Sequence, residues 1–205
     1  MRLVLLGAPG SGKGTQCALI KNKFDIVQVS TGDLFRDNVK NNTPLGLQAK
    51  KFMDAGQLVP NEIVQNMLAS RLDELGDKSF MLDGFPRTLA QAEFLDDYLA
   101  RNNKPLNAVI FFDVDDEEII TRLSKRLTCK SCGKIHNQNF SECPSCGGEL
   151  YKRDDDNEVT VKNRLKVFHE NNNALLDFYG AKGLLHVIKA VGSPDVIFER
   201  VSEIL

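Results

Sequence analysis

Between Gly7 and Thr15 the chain reads Gly-Ala-Pro-Gly-Ser-Gly-Lys-Gly-Thr. Successive backbone N–H groups of such a stretch can curl around phosphate oxygens, because glycine tolerates the backbone conformations and close approaches this requires. Lys13 adds a mobile cation, and Thr15 can offer its hydroxyl to Mg²⁺. The signature G-x-x-x-x-G-K-[ST] is met through Gly12-Lys13, but Gly14 stands where a hydroxyl residue is expected and Thr15 follows one place later. An apolar run from Arg2 to Leu6 feeds the loop and a helix-like segment from Gln16 to Lys23 leaves it. The unpaired N–H groups and the dipole of that helix start would then face the anion. Without the lysine and these flanks, the stretch would be only a glycine-rich turn.

A second group of residues could serve the same anion. The run Phe80-Met81-Leu82 ends in Asp83 and continues Gly84-Phe85-Pro86-Arg87-Thr88. A carboxylate at a strand end suits Mg²⁺ or its waters; alone it would read as a turn-capping aspartate. Arg87 is a fork-shaped donor matched to phosphate. Arg36 lies one turn beyond Ser30-Thr31, either of which can cap a helix. Arg122 and Arg126, four apart, fall on one face of an expected helix, where they could pair with Asp115–Glu118 or meet a phosphate. Arg153 and Arg164 bring the candidate phosphate arginines to six. The segment from Tyr151 to Glu158 is otherwise a charged loop in which Asp156 or Asn157 caps the next helix.

Four of the five cysteines form two C-x-x-C pairs, Cys129/Cys132 and Cys143/Cys146, with ten residues between them and a glycine after each. That spacing fits a tetrahedral four-thiolate zinc ribbon. Four protein ligands leave no open position, so the zinc would be structural, holding a flap too small for its own core. A redox dithiol is the competing reading, and His136 could substitute as a ligand. Cys17 is left over and is expected to be a small buried apolar residue.

These residues need a scaffold, and the apolar pattern supplies one. Strand-like runs recur at residues 3–6, 26–29, 80–82, 108–114 and 184–188, separated by amphipathic stretches such as 62–75 and 89–101. The alternation predicts an α/β fold, a parallel sheet covered by helices. Ligands bind outside the carboxyl ends of such strands, which is where Gly7, Ser30-Thr31 and Asp83 fall. From Ser30 to Pro60, breaks at Thr43-Pro44 and Gly56 predict short helices in a small excursion from the core. A length of 205 residues allows one core with insertions. The net charge of −2 argues against a broad nucleic-acid footprint. No stretch is apolar enough for a membrane span or a signal peptide, so a cytoplasmic protein is expected.

Gly7-x-Pro9-Gly10-x-Gly12-Lys13-Gly14-Thr15, Ser30-Thr31-Gly32-Asp33, Asp83-Gly84-Phe85-Pro86-Arg87-Thr88 and Arg153-x-Asp155-Asp156 together resemble bacterial adenylate kinases of the long form with a zinc-binding lid. In that family Gly14 before Thr15 is the usual form of the loop. The resemblance implies the P-loop nucleoside monophosphate kinase fold, with a five-stranded parallel core made of residues 1–29, 60–121 and 160–205. It further implies an AMP-binding insertion at 30–59 and a zinc-binding lid at 122–159. Gly10, Ser11, Gly12, Lys13, Gly14 and Thr15 are then expected to cradle ATP, with Arg126, Ile135, His136 and Ser193 beside its phosphates, base and ribose. AMP is expected at Thr31, Arg36, Gln57, Leu58, Val59, Gly84, Phe85, Pro86, Arg87 and Gln91, and at Arg153 and Arg164. Lys13, Arg87, Arg122, Arg126, Arg153 and Arg164 would be the catalytic set, Asp83 would hold Mg²⁺ through water, and the four paired cysteines would hold Zn²⁺. The implied partners are ATP, AMP and ADP, without nucleic acid or membrane, and the implied state is a monomer.

No general base is required for such a reaction, because a phosphate monoester with a second pKa of about 6 is already an oxyanion. Two alternatives remain at this point. One is a kinase for another nucleoside monophosphate. The other is a zinc-ribbon nucleic-acid binder, which would want basic and aromatic residues where the ribbon has Asn137, Gln138, Asn139, Ser141 and Glu142.

Overall fold

A computed structural model describes residues 1–137 and 140–205; Gln138 and Asn139, named above for their polar character, lie outside the described residues. The chain begins with strand β1 (Arg2–Gly7), whose residues 3–6 are all buried. Their alternation sends side chains to two separate cores. Leu3 and Leu5 pack on one face of the sheet with Cys17, Ile20 and Ile110, while Val4 and Leu6 pack on the other with Leu68, Leu82 and Leu95. A strand buried on both faces needs an unbroken apolar run, which is what the sequence has.

Helix α1 (Lys13–Phe24) follows, then β2 (Val27–Ser30), and two short helices, α2 (Thr31–Lys40) and α3 (Pro44–Asp54). Ser30 caps α2 by accepting the Asp33 N–H at 3.2 Å, so of the two candidates it is the cap. Thr43 caps α3 with Pro44 in its first turn. The two helices cross closely at Gly46, where a Cβ would lie 2.2 Å from the Asn38 carbonyl oxygen. Helix α4 (Asn61–Leu75) returns to the sheet, followed by β3 (Phe80–Asp83), α5 (Leu89–Arg101), β4 (Ala108–Asp113) and α6 (Asp116–Ser124). Three short strands, β5 (Leu127–Cys129), β6 (Ile135–His136) and β7 (Leu150–Tyr151), form a separate antiparallel sheet in the order β6-β5-β7. A 3₁₀ turn (Asp154–Asp156), the long α7 (Glu158–Ala181), β8 (Leu185–Lys189) and α8 (Pro194–Ser202) complete the chain.

The main sheet has five parallel strands in the order β2-β3-β1-β4-β8. β1 lies at the centre with its sequence-distant partners on both sides, so the crevice at its carboxyl end is a topological switch point. The loop at 7–15, Ser30 and Asp83 all open onto that end, with Ser30 in register with Asp83. One expectation needs correction. Arg122 is in α6, but that helix ends at Ser124 and Arg126 stands in the turn leading to β5. The two arginines therefore do not share a helix face. Among the described residues no helix is long and apolar enough to cross a membrane.

Candidate active site

Gly12, at φ 99°, caps α1 in a left-handed conformation that favours glycine, so Lys13 is the first helical residue. The Lys13 ammonium donates to the carbonyls of Gly7 at 2.7 Å and Ala8 at 2.8 Å. Burial pulls its pKa down from 10.5 to about 8, and the nearby Asp83 carboxylate only partly offsets this. Gly10 sits where a Cβ would meet Leu123 at 2.8 Å, so α6 packs directly on the loop. At Gly14 the nearest neighbour of a Cβ would be Ile135 at 3.4 Å, so strand β6 of the small sheet overlies the loop. Asp83 faces the same space and accepts from Gln28 at 3.3 Å. Thr15 lines the cleft as well, whereas Ser11 is fully buried and accepts from Lys13.

The six arginines converge, and each already has a partner. Arg122 donates to Glu118 at 2.8 Å, to the Ser11 carbonyl at 3.3 Å and to the Ala190 carbonyl at 3.0 Å. Arg126 grips both carboxylate oxygens of the buried Asp156. Arg164 pairs with Asp155 at 2.7 Å and Arg36 with Asp33. Arg153 donates to the Thr128 hydroxyl at 3.0 Å, and Arg87 to the Gly84 carbonyl at 2.8 Å. Burial lowers the pKa of Arg87, Arg153 and Arg164, with neighbouring arginines adding to it. Burial works against the Asp155 carboxylate too, but the surrounding arginines outweigh it and hold its pKa below the ordinary value.

Two recesses meet on this wall. The larger is a cleft of about 940 Å³ running from the phosphate loop and Asp83 past Arg122, Arg126 and Arg153 to Ile135 and Gly192, ample for a nucleoside triphosphate. The smaller is lined by Thr31, Gln57, Leu58, Val59 and Gln91. Arg36, Arg87 and Arg164 belong to both. Thr31 donates to the Gly84 carbonyl at 2.9 Å, and Gln91 is only 2% exposed, its carbonyl accepting from the Arg87 backbone N–H at 2.8 Å.

In the small sheet the Sγ atoms of Cys129, Cys132, Cys143 and Cys146 lie within 4.8 Å of one another. Two of the separations are 3.5 Å and 3.7 Å. A tetrahedron with Zn–S of about 2.3 Å has edges of about 3.8 Å, so the thiols fit zinc. The Cys132 backbone N–H, 3.5 Å from the Cys129 sulfur, holds that thiol below its ordinary pKa and favours the thiolate. Gly148 leaves room that a side chain would take, since a Cβ there would meet the Cys129 sulfur at 2.9 Å.

A family profile described as adenylate kinase matches residues 5–184. The chain is similar to an adenylate kinase of Thermodesulfovibrio yellowstonii, 47% identical over 100% of this chain and 99% of the relative. It is 50% identical to one of Caldicellulosiruptor bescii over 91% and 90% of the two chains, and 43% identical to one of Archaeoglobus fulgidus over 100% and 98%. The chain belongs to the adenylate kinase family. It is therefore a phosphotransferase that works on a magnesium nucleotide.

Against the adenylate kinase pattern, four expected residues are not brought to the cleft wall: the fully buried Ser11 already noted, and Ser193, His136 and Phe85. Ser193 is exposed and caps α8, accepting from the Val196 N–H at 3.4 Å; its neighbours Gly192 and Pro194 line the cleft instead. His136 turns toward the metal-type cluster, with Nε2 3.4 Å from the Cys143 sulfur, although the thiols of the four cysteines form the ligand group by themselves. Phe85 is fully buried in the core beside Leu82. Cys17 is a buried core residue, as its sequence setting predicts. Sequence reasoning gave no role to Asp33, Asp155 and Asp156 as counter-ions of the arginines, nor to Asn61 and Gln28. The run of three aspartates after Arg153 was a signal for Asp155 and Asp156, and the i,i+3 spacing to Arg36 was one for Asp33.

Proposed function

We propose that this adenylate kinase catalyses ATP + AMP ⇌ 2 ADP with ATP in the larger recess and AMP in the smaller. The observation that carries the reading is the shared wall: Arg36, Arg87 and Arg164 line both recesses. Two nucleotides bound base-outward would meet there phosphate to phosphate. An AMP phosphate oxygen attacks the γ-phosphorus of ATP, a new O–P bond forms, and the bond to the β-phosphate bridging oxygen breaks as ADP leaves. The attacking oxygen is already anionic, so the protein's task is positioning and charge compensation.

On this reading Gly10 to Thr15 hold the ATP phosphates through backbone N–H groups. Lys13 exchanges its loop carbonyls for phosphate oxygens, and Arg122, Arg126 and Arg153 close on the transferring group. Mg²⁺ bound with ATP would be held through water by Asp83 and would spread the charge on the β- and γ-phosphates. Residues 122–159 act as a lid held together by Zn²⁺ on Cys129, Cys132, Cys143 and Cys146, and Ile135 carries the lid onto the loop. Residues 30–59 form the AMP-binding insertion, and the rest of the chain is the core. Closing the lid excludes the water that would turn a transferase into an ATPase. Thr31, the backbone of Gln57 to Val59, and Gln91 receive the acceptor nucleoside.

A coupled assay of ADP formation with AMP, UMP, CMP and GMP as acceptors tests this. AMP is expected to be strongly preferred, because a polar site left unpaired by the wrong base loses about 1–3 kcal/mol per buried group. Comparable kcat/KM for AMP and CMP would overturn the acceptor assignment.

A further inference from the structure

The Gln91 amide is held by a chain of hydrogen bonds whose polarity is fixed from one end. The Arg87 backbone N–H can only donate, so the Gln91 atom facing it at 2.8 Å is the carbonyl oxygen. The opposite end of the amide is then the NH₂, which donates at 2.8 Å to the side-chain oxygen of Asn61. A second donor reaches the same Asn61 oxygen. The Thr88 hydroxyl oxygen accepts from the Gln91 backbone N–H at 3.3 Å, leaving its proton for Asn61 at 3.4 Å. Flipping the Gln91 amide would set NH₂ against N–H at one end and carbonyl against carbonyl at the other. Gln91 is only 2% exposed, so water could do little to relieve the mismatch.

We propose that Asn61 is a positioning residue for base selection: its side-chain carbonyl holds Gln91 in the orientation that reads a 6-aminopurine nucleotide. This rests on the reading above in which Gln91 meets the acceptor base. An amide has two acceptor sites and two donors, so the bonds to Arg87 and Asn61 leave Gln91 one lone pair and one N–H side by side. A 6-aminopurine presents the complement, an amino donor beside a ring-nitrogen acceptor. A 6-oxopurine presents the reverse, a carbonyl beside a ring N–H, and would pair only with the flipped amide. Asn61 sits at the start of α4 and does not line the AMP-side recess, whereas Gln91 does. Its influence on the base therefore passes through Gln91.

The test measures kcat and KM with AMP and with its 6-oxo analogue IMP, ATP being the donor, in the full-length enzyme and in Asn61→Leu, Asn61→Asp and Gln91→Leu. Melting temperatures are recorded for each. Asn61→Leu is expected to lower the AMP-to-IMP ratio of kcat/KM about five- to tenfold, one buried hydrogen bond's worth, mainly through KM for AMP. Asn61→Asp, which can only accept, is expected to keep the ratio or raise it. A merely structural role would lower the melting temperature and both kcat/KM values together, and an unchanged ratio in Asn61→Leu would overturn the proposal. If Asn61→Leu does not fold, Asn61→Asp decides: a ratio at or above the unmutated value supports the proposal and a lower one overturns it. Gln91→Leu separates the two claims. If it lowers the ratio while Asn61→Leu does not, only the role of Asn61 falls. If it leaves the ratio unchanged, the reading of Gln91 itself falls and takes the proposal with it.

Discussion

The two sides of the cleft are built on different principles. Around the smaller recess, Thr31, Gln91 and Asn61 are joined by neutral hydrogen bonds to backbone or to one another. On the arginine wall, Arg36 and Arg164, which line both recesses, and Arg126, which lines the larger, are held by aspartates from the protein's own chain. Neutral bonds of fixed polarity suit a site that must discriminate, because a wrong base leaves a buried group unpaired. Ion pairs suit a site that must accept a highly charged group and release it. Each aspartate keeps its arginine oriented and charged until a phosphate can compete for the same donors. Removing an unpaired buried guanidinium from water would cost far more.

Removing the Zn²⁺ proposed for the four thiols should break the comparison most sharply. Structural zinc in small domains contributes an apparent ~10–16 kcal/mol to folding, and the small sheet has little else to hold it. Chelation, or Cys143→Ser, is expected to open residues 122–159 to proteolysis and weaken ATP binding, while AMP binding and the melting of the five-stranded core change little. Metal analysis should find one zinc per chain before treatment. A core that melted as early as the lid would mean that the two sides are not separable.

Next in size is Asp156→Ala, which leaves Arg126 buried without its carboxylate. Breaking a buried pair from one side typically costs about 3–5 kcal/mol, and Asp156 sits in the 3₁₀ turn just before α7. Denaturant unfolding should register that loss, and added ATP should restore part of it by supplying phosphate to Arg126. If nucleotide gave the variant no more protection than the unmutated enzyme receives, Arg126 would not be a phosphate ligand.

Lys13→Met should follow. It removes a cation from the loop without removing a core contact, so kcat is expected to fall about 100- to 1000-fold, near the 2.7–4 kcal/mol of one preorganised donor, with an unchanged melting temperature. Near-normal kcat in the purified variant would show that the loop serves another purpose.

What could be read from the sequence divides along the same line. The sheet was legible because strands buried on both faces must be continuous apolar runs, and residues 3–6 and 108–112 are. The phosphate loop was legible because its lysine and glycines are adjacent in the chain. The thiol cluster was legible from the spacing of four cysteines. Partnerships between distant residues were not. Nothing in the chain joins Arg126 to Asp156, thirty residues on, or Gln91 to Asn61, thirty residues back. Helical spacing even misplaced Arg126, because periodicity alone does not reveal that α6 stops at Ser124. Gln91 could have been a surface helix residue by pattern, and only packing against α4 makes it a buried one.

The smallest expected effect concerns protons and separates the two sides without any mutation. Burial brings the Lys13 pKa to about 8 before nucleotide binds, and ATP phosphates placed beside it must raise that value again. Below pH 8 the lysine is charged both before and after binding, so affinity should not depend on pH through this group. Above pH 8 the free enzyme loses the proton first, and binding must then recover it from solution. ATP affinity is therefore expected to fall with rising pH, by up to about tenfold per unit, the limit for uptake of one proton. The nucleotide's own phosphates are fully ionised in that range, and burial pushes the neighbouring Cys17 thiol well up, so neither confuses the signal. Calorimetry at pH 9 in buffers of different ionisation enthalpy should register uptake of nearly one proton with ATP. The smaller recess, proposed above for AMP, does not include Lys13, so AMP affinity should stay nearly flat over the same range. Lys13→Met should abolish the ATP dependence altogether. If ATP and AMP affinities declined in parallel between pH 8 and 9, Lys13 would not be the titrating group, and its cation would belong to both recesses rather than to the donor side.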